Sequence, residues 1–539
     1  MCIRDRPYDR PNTSMSGFPL CEACYSEYTN PADRRYHAEP VACEACGPKL
    51  SYSEAGKSPV TGNEVAMRAT LDALAAGKVV AIKGIGGYHL VCDARSDSAV
   101  GQLRKTKPRP HKPLAVMFPA PPADNLAVVR QYLLADDVEA RLLESPARPI
   151  VLVAKNHGNG LSAAIAPGLN EVGAMLPYSP LHHTLLGQFG APLVATSANI
   201  SGEPVLTEND DIEQRLAHVA NACLHHDRPI VRPADDPVIR VINKQPSAIR
   251  QGRGLAPVEI ELPFKLDKPV LAVGAHMKNT VALAWDNRVV VSPHIGEMDS
   301  LRSLETFTQC IEDLQSLYQV KAEHILCDAH PGFTPSRWAH QQDLPVDEVY
   351  HHHAHASAAY AEPAGNSSEP HNMLVFTWDG VGLGPDGTLW GGEALLGKPG
   401  QWHRAACFRP FRLPGGERAG REPWRSAAAI CWESGQECAL GEASDPLIFS
   451  FWQQGKNAPL TTAAGRLFDA AAALSGVCSQ ASFEGQGPMF FEALAARHGN
   501  IDESLVIPLG LSQDNGIYHA DWSALIPVLT DKSLSLIHI

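Results

Sequence analysis

The 539-residue sequence has no apolar run approaching the ~18 residues a membrane-spanning helix needs, and no signal-peptide pattern opens it. Both absences argue against a membrane span and against secretion. Basic residues are in deficit too: 45 Lys and Arg stand against 59 Asp and Glu, a net charge of −14. Broad nucleic-acid binding through net charge is thereby excluded, and a polyanion has to be held by a local basic cluster. Short-period repeats and low-complexity tracts are missing. With 44% hydrophobic and 19% charged residues the balance is that of a folded protein. The length asks for roughly three domains at ~150 residues each. Cysteines number 13, and four of them form two CxxC pairs while the others are scattered. That usage fits a reduced, cytoplasmic protein with one metal site, not a disulfide scaffold.

The two ends stand apart from the rest. Met1 to Arg6 (MCIRDR) and Leu534 to Ile539 (LSLIHI) can be encoded by one DNA element read on opposite strands. CTG TCT CTT ATA CAC ATC gives the second, and its reverse complement contains ATG TGT ATA AGA GAC AG, which gives the first. Both hexapeptides are expected to be adapter sequence and are set aside, which implies natural sequence running from Pro7 to about Ser533.

Residues 7–56 are polar, rich in Pro, Tyr and Cys, and show neither a helical nor a strand period, so this segment is expected to need a metal to fold. VAMRATLDALAAG (65–77) predicts a helix ended by Gly77, followed by a strand in VVAIKG. Ser96-Asp97-Ser98 can cap a short helix, and PLAVMF, PIVLVAK and PLVATSAN read as buried strands. The alternation predicts an α/β domain over 65–262, with 263–269 as a linker. A second α/β pattern over 268–533 opens with the strand LAVGAHMKNTVALAW, followed by a helix near 301–318 and the strand HILCDAH. Residues 362–372 read as a surface loop.

Four constellations carry chemistry. Cys21 and Cys24, then eighteen residues later Cys43 and Cys46, supply a tetrahedral sulfur site with no open position, so a structural zinc is expected; a redox pair is the alternative. The run 104–113 holds five Lys and Arg, with prolines that restrict the backbone; it suits several phosphate oxygens at once or forms a solvated basic loop. ATSANISG (195–202) places hydroxyls and an amide at a strand's carboxyl end, where α/β sheets bind ligands, or forms a capped turn. His351 and His355 lie four apart within HHHAH, so on a helix both imidazoles share one face and can hold a metal, with Asp379 as a candidate third ligand. The Gly-rich stretches 379–384 and 390–393 allow close backbone approach to a phosphate or make tight turns.

Long collinear motifs then resemble one family. KGIGGYHLVCDA (83–94), KPRPHKPLAVM (107–117), MLPYSPLHHTLL (175–186), ATSANISGEP (195–204) and HDRPIVRPADDPVIRV (226–241) resemble the YrdC-like domain of the HypF family, the carbamoyltransferases of NiFe-hydrogenase maturation. NPADRRYHAEPVACEACGP (30–48) is similar to the end of that family's zinc-finger region. LPGGERAGREPWRSA (413–427) and AGRLFDAAAALSGV (464–477) are similar to its carboxyl-terminal domain, which is related to the TsaD threonylcarbamoyl transferases. The resemblance implies a multidomain α/β protein: a zinc segment, a YrdC-like domain, then an incomplete TsaD-like domain of the ASKHA type.

It also implies a relay. An acylphosphatase domain releases carbamate from carbamoyl phosphate, the YrdC-like domain joins carbamate to ATP (with magnesium) as carbamoyl adenylate, and the TsaD-like domain passes the carbamoyl group to the carboxyl-terminal cysteine of HypE, a precursor of the cyanide ligands. Enclosed sites protect carbamate from water. By motif, Lys107 and Arg109 match the family's K-x-R phosphate element, with Lys112 beside them, and Thr196, Ser197 and Asn199 match its S-x-N element. Arg250 and Arg253 are further phosphate candidates, and Tyr88 and His89 fall where such domains line the acyl pocket. His351 and His355 match the H-x3-H pair for a divalent metal, iron or zinc, with Asp379 a further ligand or phosphate-site group. Lys278, Asn279 and Thr280 resemble the first nucleotide-binding turn, and Asp469 and Glu484 lie in stretches that approach the nucleoside. SFEGQGPMFFE (482–492) departs from the family's SYEGEAAM pattern. The acylphosphatase domain, the first zinc unit and the end of the TsaD-like domain are missing from the sequence. Adenylate formation is therefore expected from this chain with carbamate but not with carbamoyl phosphate, and transfer to HypE is expected to be crippled. HypE, carbamoyl phosphate or carbamate, and ATP are the implied partners, with no membrane and no nucleic acid. Two other readings use the same motifs: a fusion that makes threonylcarbamoyladenosine on tRNA, against which the acidic balance stands, and an inactive zinc-stabilised docking module, against which the KPRPHKP and SAN elements stand.

Overall fold

A computed structural model describes residues 10–156, 158, 160–364, 371–498 and 506–531. Both terminal hexapeptides, and part of the loop expected at 362–372, lie outside the described residues. Among the described residues three sheets follow one another along the chain. The first has eleven strands, and its centre runs Val116–Met117, Leu193–Ser197, Tyr88–Asp93, Val80–Lys83, Ala222–His226. These strands are near-continuous apolar runs because both faces are covered. One core packs Leu90, Val116 and Val194 under the helix Asp97–Thr106. The other packs Ile82, Val91 and Leu193 under Asn63–Ala75 and Pro180–Phe189.

The segment read as lacking secondary structure is not without it. Glu22–Thr29 is helical, and Leu50–Glu54 pairs antiparallel with Ala222–His226, adding an edge to the first sheet. Five residues alternating across a strand are too few to announce themselves in a polar, cysteine-rich stretch. Further on, Val258–Glu261 pairs with Arg288–Val291, so the chain has entered the second sheet ahead of residues 263–269.

The strand expected from LAVGAHMKNTVALAW is two. Val270–Ala272 and Ala282–Trp285 pair antiparallel, with the polypeptide turning between them. Gly274 sits at φ +67, where an added Cβ would meet the Thr280 carbonyl at 2.3 Å, and Lys278 adopts φ 50. The Asn279 amide closes the turn by donating to the carbonyls of Val273 (2.9 Å) and Ala275 (2.6 Å). The second sheet packs on Leu301–Tyr318 through Phe307, Ile311 and Leu314.

In the third sheet the long antiparallel pair Met373–Leu383 and Leu389–Gly397 carries a bulge between Trp378 and Gly382. The helices Trp424–Glu433 and Ala464–Leu474 pack beside it around Phe411, Ala427, Ala470 and Trp522. Among the described residues no helix is long and apolar enough to cross a membrane.

Candidate functional site

The four cysteines of the first segment converge. Sγ of Cys43 lies 3.6 Å from that of Cys21 and 3.8 Å from that of Cys46, and all four sulfurs lie within 4.8 Å of one another. A tetrahedron with Zn–S bonds of ~2.3 Å has edges of about 3.8 Å, so the set fits a zinc ion. The backbone N–H groups of the knuckles bring the Cys46 thiol down to about 6 and lower Cys43 as well, which favours the thiolate that binds metal.

The basic run is sorted by the fold. Asp97–Thr106 is capped by the Ser96 hydroxyl, which accepts from the Ala99 N–H, and Lys107 stands at the helix's other end. Pro108, Pro110 and Pro113 forbid the helix to continue. Of the five bases, Arg104 is spent on the fold, donating to the carbonyls of Ala164 (2.6 Å) and Ile165 (3.1 Å), and Lys105 is exposed. Lys107 turns inward: only 6% exposed, it donates to Oδ1 of Asn199 at 3.0 Å and to the Ser197 carbonyl. Arg109 reaches the same Asn199 oxygen at 3.5 Å, and the Ser197 hydroxyl donates to it at 3.0 Å. The two motifs, about ninety positions apart in sequence, thus form one cluster.

Burial, then repulsion from Arg109 and Lys112, holds the Lys107 ammonium well below its usual range, with Asp235 opposing. Burial lowers Arg109 too. Crowded cations of this kind are an electrostatic cradle for an anion.

Thr196 does not join the cluster. Strand alternation sends its side chain to the face opposite Ser197. The same rule separates Tyr88 from His89. The Tyr88 hydroxyl contacts Nδ1 of His225 at 2.6 Å and Oδ1 of Asn209 at 2.7 Å, whereas His89 faces Asp236. Arg250 donates to the Asp236 carbonyl at 2.9 Å, and Arg253 donates to Oδ1 of Asp236 at 2.6 Å and to the carbonyls of Ala147 and Arg148. Arg253 is therefore largely engaged within the fold. Asp235 and Asp236, in the PADDP turn, are residues the sequence reading passed over; adjacent acids after a basic motif were the available signal.

The next unit reaches back to this cradle. His294 contacts Asp235 at 2.9 Å, and His111 contacts the Ser482 hydroxyl at 3.1 Å. Glu297 and Glu484 project negative charge toward Lys112.

At the third constellation the helix His351–Ala364 begins on its first ligand candidate. Nε2 of His351 lies 3.2 Å from Nε2 of His355 and 3.2 Å from Oδ2 of Asp379, and the three groups fall within 4.8 Å. Two imidazoles and a carboxylate converging on one point fit a divalent cation. Behind them stands Asp328, 3.1 Å from Nδ1 of His351, at the end of the strand His324–Asp328. A carboxylate on the rear nitrogen fixes the tautomer of a ligating histidine. Asp328 was missed although HILCDAH was read as a strand, because its partner lies on another element. His352, fully buried, donates its Nε2–H to Oδ1 of Asp379 at 3.1 Å and orients it from the other side.

The glycines near Asp379 are explained by side-chain packing. An added Cβ at Gly382 would meet His352 at 2.7 Å, at Gly384 the Trp390 indole at 2.2 Å, and at Gly391 the Asp379 carboxylate at 2.7 Å. Asp469 pairs with Arg466 at 2.8 Å; burial pushes its carboxyl up to about 6 against that pairing. The Arg466 guanidinium lies beside Gly380 and so links Asp469 to the Asp379 strand. Lys278 and Glu484 are ion-paired at 3.1 Å, while Asn279 serves its own turn and Thr280 lends it a carbonyl contact.

Family models match the chain in sequence: the HypF finger over residues 20–53, a model described as Telomere recombination that covers YrdC proteins over 72–252, the HypF Kae1-like domain over 265–362, and the second subdomain of the carbamoyltransferase Kae1-like domain over 375–535. Carbamoyltransferase HypF of Rhodobacter capsulatus is 40% identical over 512 residues, covering 93% of this chain and 67% of that protein. The chain belongs to the HypF carbamoyltransferase family. The HypF of Synechocystis sp. is 39% identical over 603 residues, covering 98% of this chain and 77% of its own. A crystal structure of full-length HypF in the phosphate- and nucleotide-bound form superposes with a TM-score of 0.89 at 34% identity, over 99% of this chain and 70% of that one. As in other HypF proteins, the architecture is a zinc finger, a YrdC-like domain and Kae1-like domains, and the Cys21, Cys24, Cys43 and Cys46 set fits the finger.

Proposed function

We propose that this HypF chain uses ATP with magnesium to convert carbamate to carbamoyl adenylate in its YrdC-like domain, and that its Kae1-like domains pass the carbamoyl group to the carboxyl-terminal cysteine of HypE during hydrogenase maturation. The observation that carries the reading is the convergence of Lys107, Arg109, Ser197 and Asn199 on one half-buried point. An excess of crowded positive charge there is relieved by phosphate and carboxylate oxygens. A carbamate oxygen attacks the α-phosphorus of ATP, the new P–O bond forms as the bond to pyrophosphate breaks, and Lys107 and Arg109 take up the charge moving onto the leaving group. Asn199 holds Lys107, Arg109 and the Ser197 hydroxyl in register.

In the transfer step the acceptor sulfur bonds to the carbonyl carbon and AMP leaves. The His351, His355 and Asp379 group would hold a divalent metal, iron or zinc, which supplies polarisation of an oxygen when bound. Asp328 and His352 keep the ligating atoms aimed at one point. Lys278, Glu484 and Asp469 line the nucleotide approach to that second site in this reading. His294 and His111 tie the two units together, which shortens the path of a hydrolysable intermediate.

ATP–pyrophosphate exchange tests the first half. Carbamate-dependent exchange that falls at least about 100-fold in Lys107→Ala and Asn199→Ala supports it; exchange indifferent to carbamate, or unaffected by both substitutions, refutes it.

A further inference from the structure

The Asn199 side chain is fixed from two sides. Its Oδ1 faces Lys107, Arg109 and the Ser197 hydroxyl, and its Nδ2 donates to the carbonyl of Glu203 at 2.8 Å. The Glu203 N–H in turn donates to the Ile200 carbonyl at 3.0 Å, and Gly202 adopts φ +80, so residues 200–203 close as one tight turn. Whatever holds that turn also holds the amide that sets the phosphate cluster.

Part of the support comes from outside the YrdC-like domain. The hydroxyl of buried Ser303 donates to the Gly202 carbonyl at 3.4 Å. The Glu203 carboxylate accepts from Arg215 of its own domain at 2.9 Å, and Nε of Arg302 stands 3.7 Å from Oε2. Nη1 of Arg302 donates to Oδ2 of Asp211 at 3.1 Å, on the helix Asn209–Arg215 that follows the turn. Arg302 and Ser303 lie in the first turn of the helix Leu301–Tyr318, which belongs to the Kae1-like unit.

Arg302 breaks a local rule where it stands. The amino-terminal turn of a helix carries the positive end of the macrodipole and favours an acid; this 18-residue helix has no acid in its first turn and a guanidinium instead. Its side chain is 28% exposed and those of its two acids 16% and 40%, so water screens the pairs and they add little to global stability. Neither the helix nor the fold as a whole accounts for the guanidinium. A planar fork of donors is suited to holding two carboxylates at a fixed spacing.

We propose that Arg302 is a positioning residue of the adenylate-forming step: reaching in from the Kae1-like unit, it fixes the Glu203 turn and, through it, the Asn199 amide. This role rests on the adenylate reading above and extends it. The cradle is complete only while the unit that receives the carbamoyl group is docked on it, so a hydrolysable adenylate is not made without a receiver. A misplacement of about 1 Å costs up to about 100-fold in rate, so a brace that is weak in stability can still be strong in turnover.

The test is carbamate-dependent ATP–pyrophosphate exchange by the full chain, with ATP binding followed by calorimetry. Arg302→Met keeps the stem and removes the fork; kcat falls by about 10- to 100-fold while ATP affinity stays within about 3-fold of the parent's. Arg302→Lys, which keeps one charge for the two acids, recovers part of the loss. In a Glu203→Ala background Arg302→Met lowers kcat by less than about 2-fold more, because both act through one contact. An unchanged kcat in Arg302→Met, a loss of ATP affinity as large as the loss of kcat, no recovery with lysine, or additive losses in the double variant would overturn the assignment. A parent chain that binds ATP but shows no carbamate-dependent exchange defeats the adenylate reading itself, and this inference falls with it.

Discussion

Nζ of Lys278 stands 3.1 Å from Oε1 of Glu484, although 206 positions separate them along the chain. The turn after the strand Val270–Ala272 thereby meets the loop before the helix Gln486–His498. The two side chains are 64% and 51% exposed, so water screens the pair and it adds little to stability. Lys278→Ala is expected to change the unfolding free energy by less than about 1 kcal/mol in urea titrations. In the proposed role it raises the ATP requirement of carbamoyl transfer while leaving pyrophosphate exchange in the YrdC-like domain untouched.

Burial of Lys107 carries a cost in stability. An ammonium with a lowered folded pKa means that the unfolded chain binds more protons below pH ~10.4, so folding is penalised across neutral pH. Lys107→Met removes the charge and keeps the length. It is expected to abolish exchange while matching or exceeding the parent's stability by about 1 kcal/mol at pH 7, an advantage that shrinks as pH rises toward 10. Paired denaturation curves at the two pH values check it.

His182 makes the protein acid-sensitive. Burial, then the neighbouring His89, drives its pKa to about 3, and neither ring nitrogen has a hydrogen-bond partner. A depressed folded pKa leaves stability intact above the unfolded value of ~6.5 and loses it as pH falls toward 3, at about 1.4 kcal/mol per pH unit. His182→Leu is expected to flatten the stability profile between pH 6.5 and 4.5 and to change little at pH 8, as followed by thermal melts across that range.

Elemental analysis of the parent and of Cys43→Ser is expected to differ by one zinc per chain. Cys43→Ser also opens residues 20–50 to limited proteolysis, because a short polar segment without its metal has too little core to hold it. The pairing of Leu50–Glu54 with the first sheet keeps the YrdC-like domain folded in that variant.

His351→Ala and Asp328→Asn separate the two units. The first removes a candidate ligand and the second replaces the carboxylate behind it with a neutral amide. Divalent metal bound at this site is expected to fall beyond detection in the first and by about 10- to 100-fold in affinity in the second. Carbamate-dependent exchange at the Lys107 cluster remains at the parent's rate in both.

Much of the candidate chemistry was legible because its geometry is local. Two cysteines three apart form a knuckle and two histidines four apart share a helix face whatever surrounds them. Helix ends could be read from Ser96 and Gly77 for the same reason. The reading erred where a polar loop or a short strand depends on distant partners. The turn at Gly274 interrupts what the apolar pattern presents as one strand, and Leu50–Glu54 is a strand only because Ala222–His226 lies beside it.

Sequence alone therefore determined the order of units, the family, the sulfur set and the paired imidazoles, since each depends on spacing of a few residues or on long collinear motifs. Tertiary structure decided which residues act together. Strand register put His89 opposite Ser197 and turned Thr196 away. The packing of a helix against one strand's end and another strand's bulge brought Asp328 and Asp379 to His351. Contacts of this kind follow from how sheets twist and pack, and side-chain direction alternates with every residue, so a shift of one position would reassign every partner.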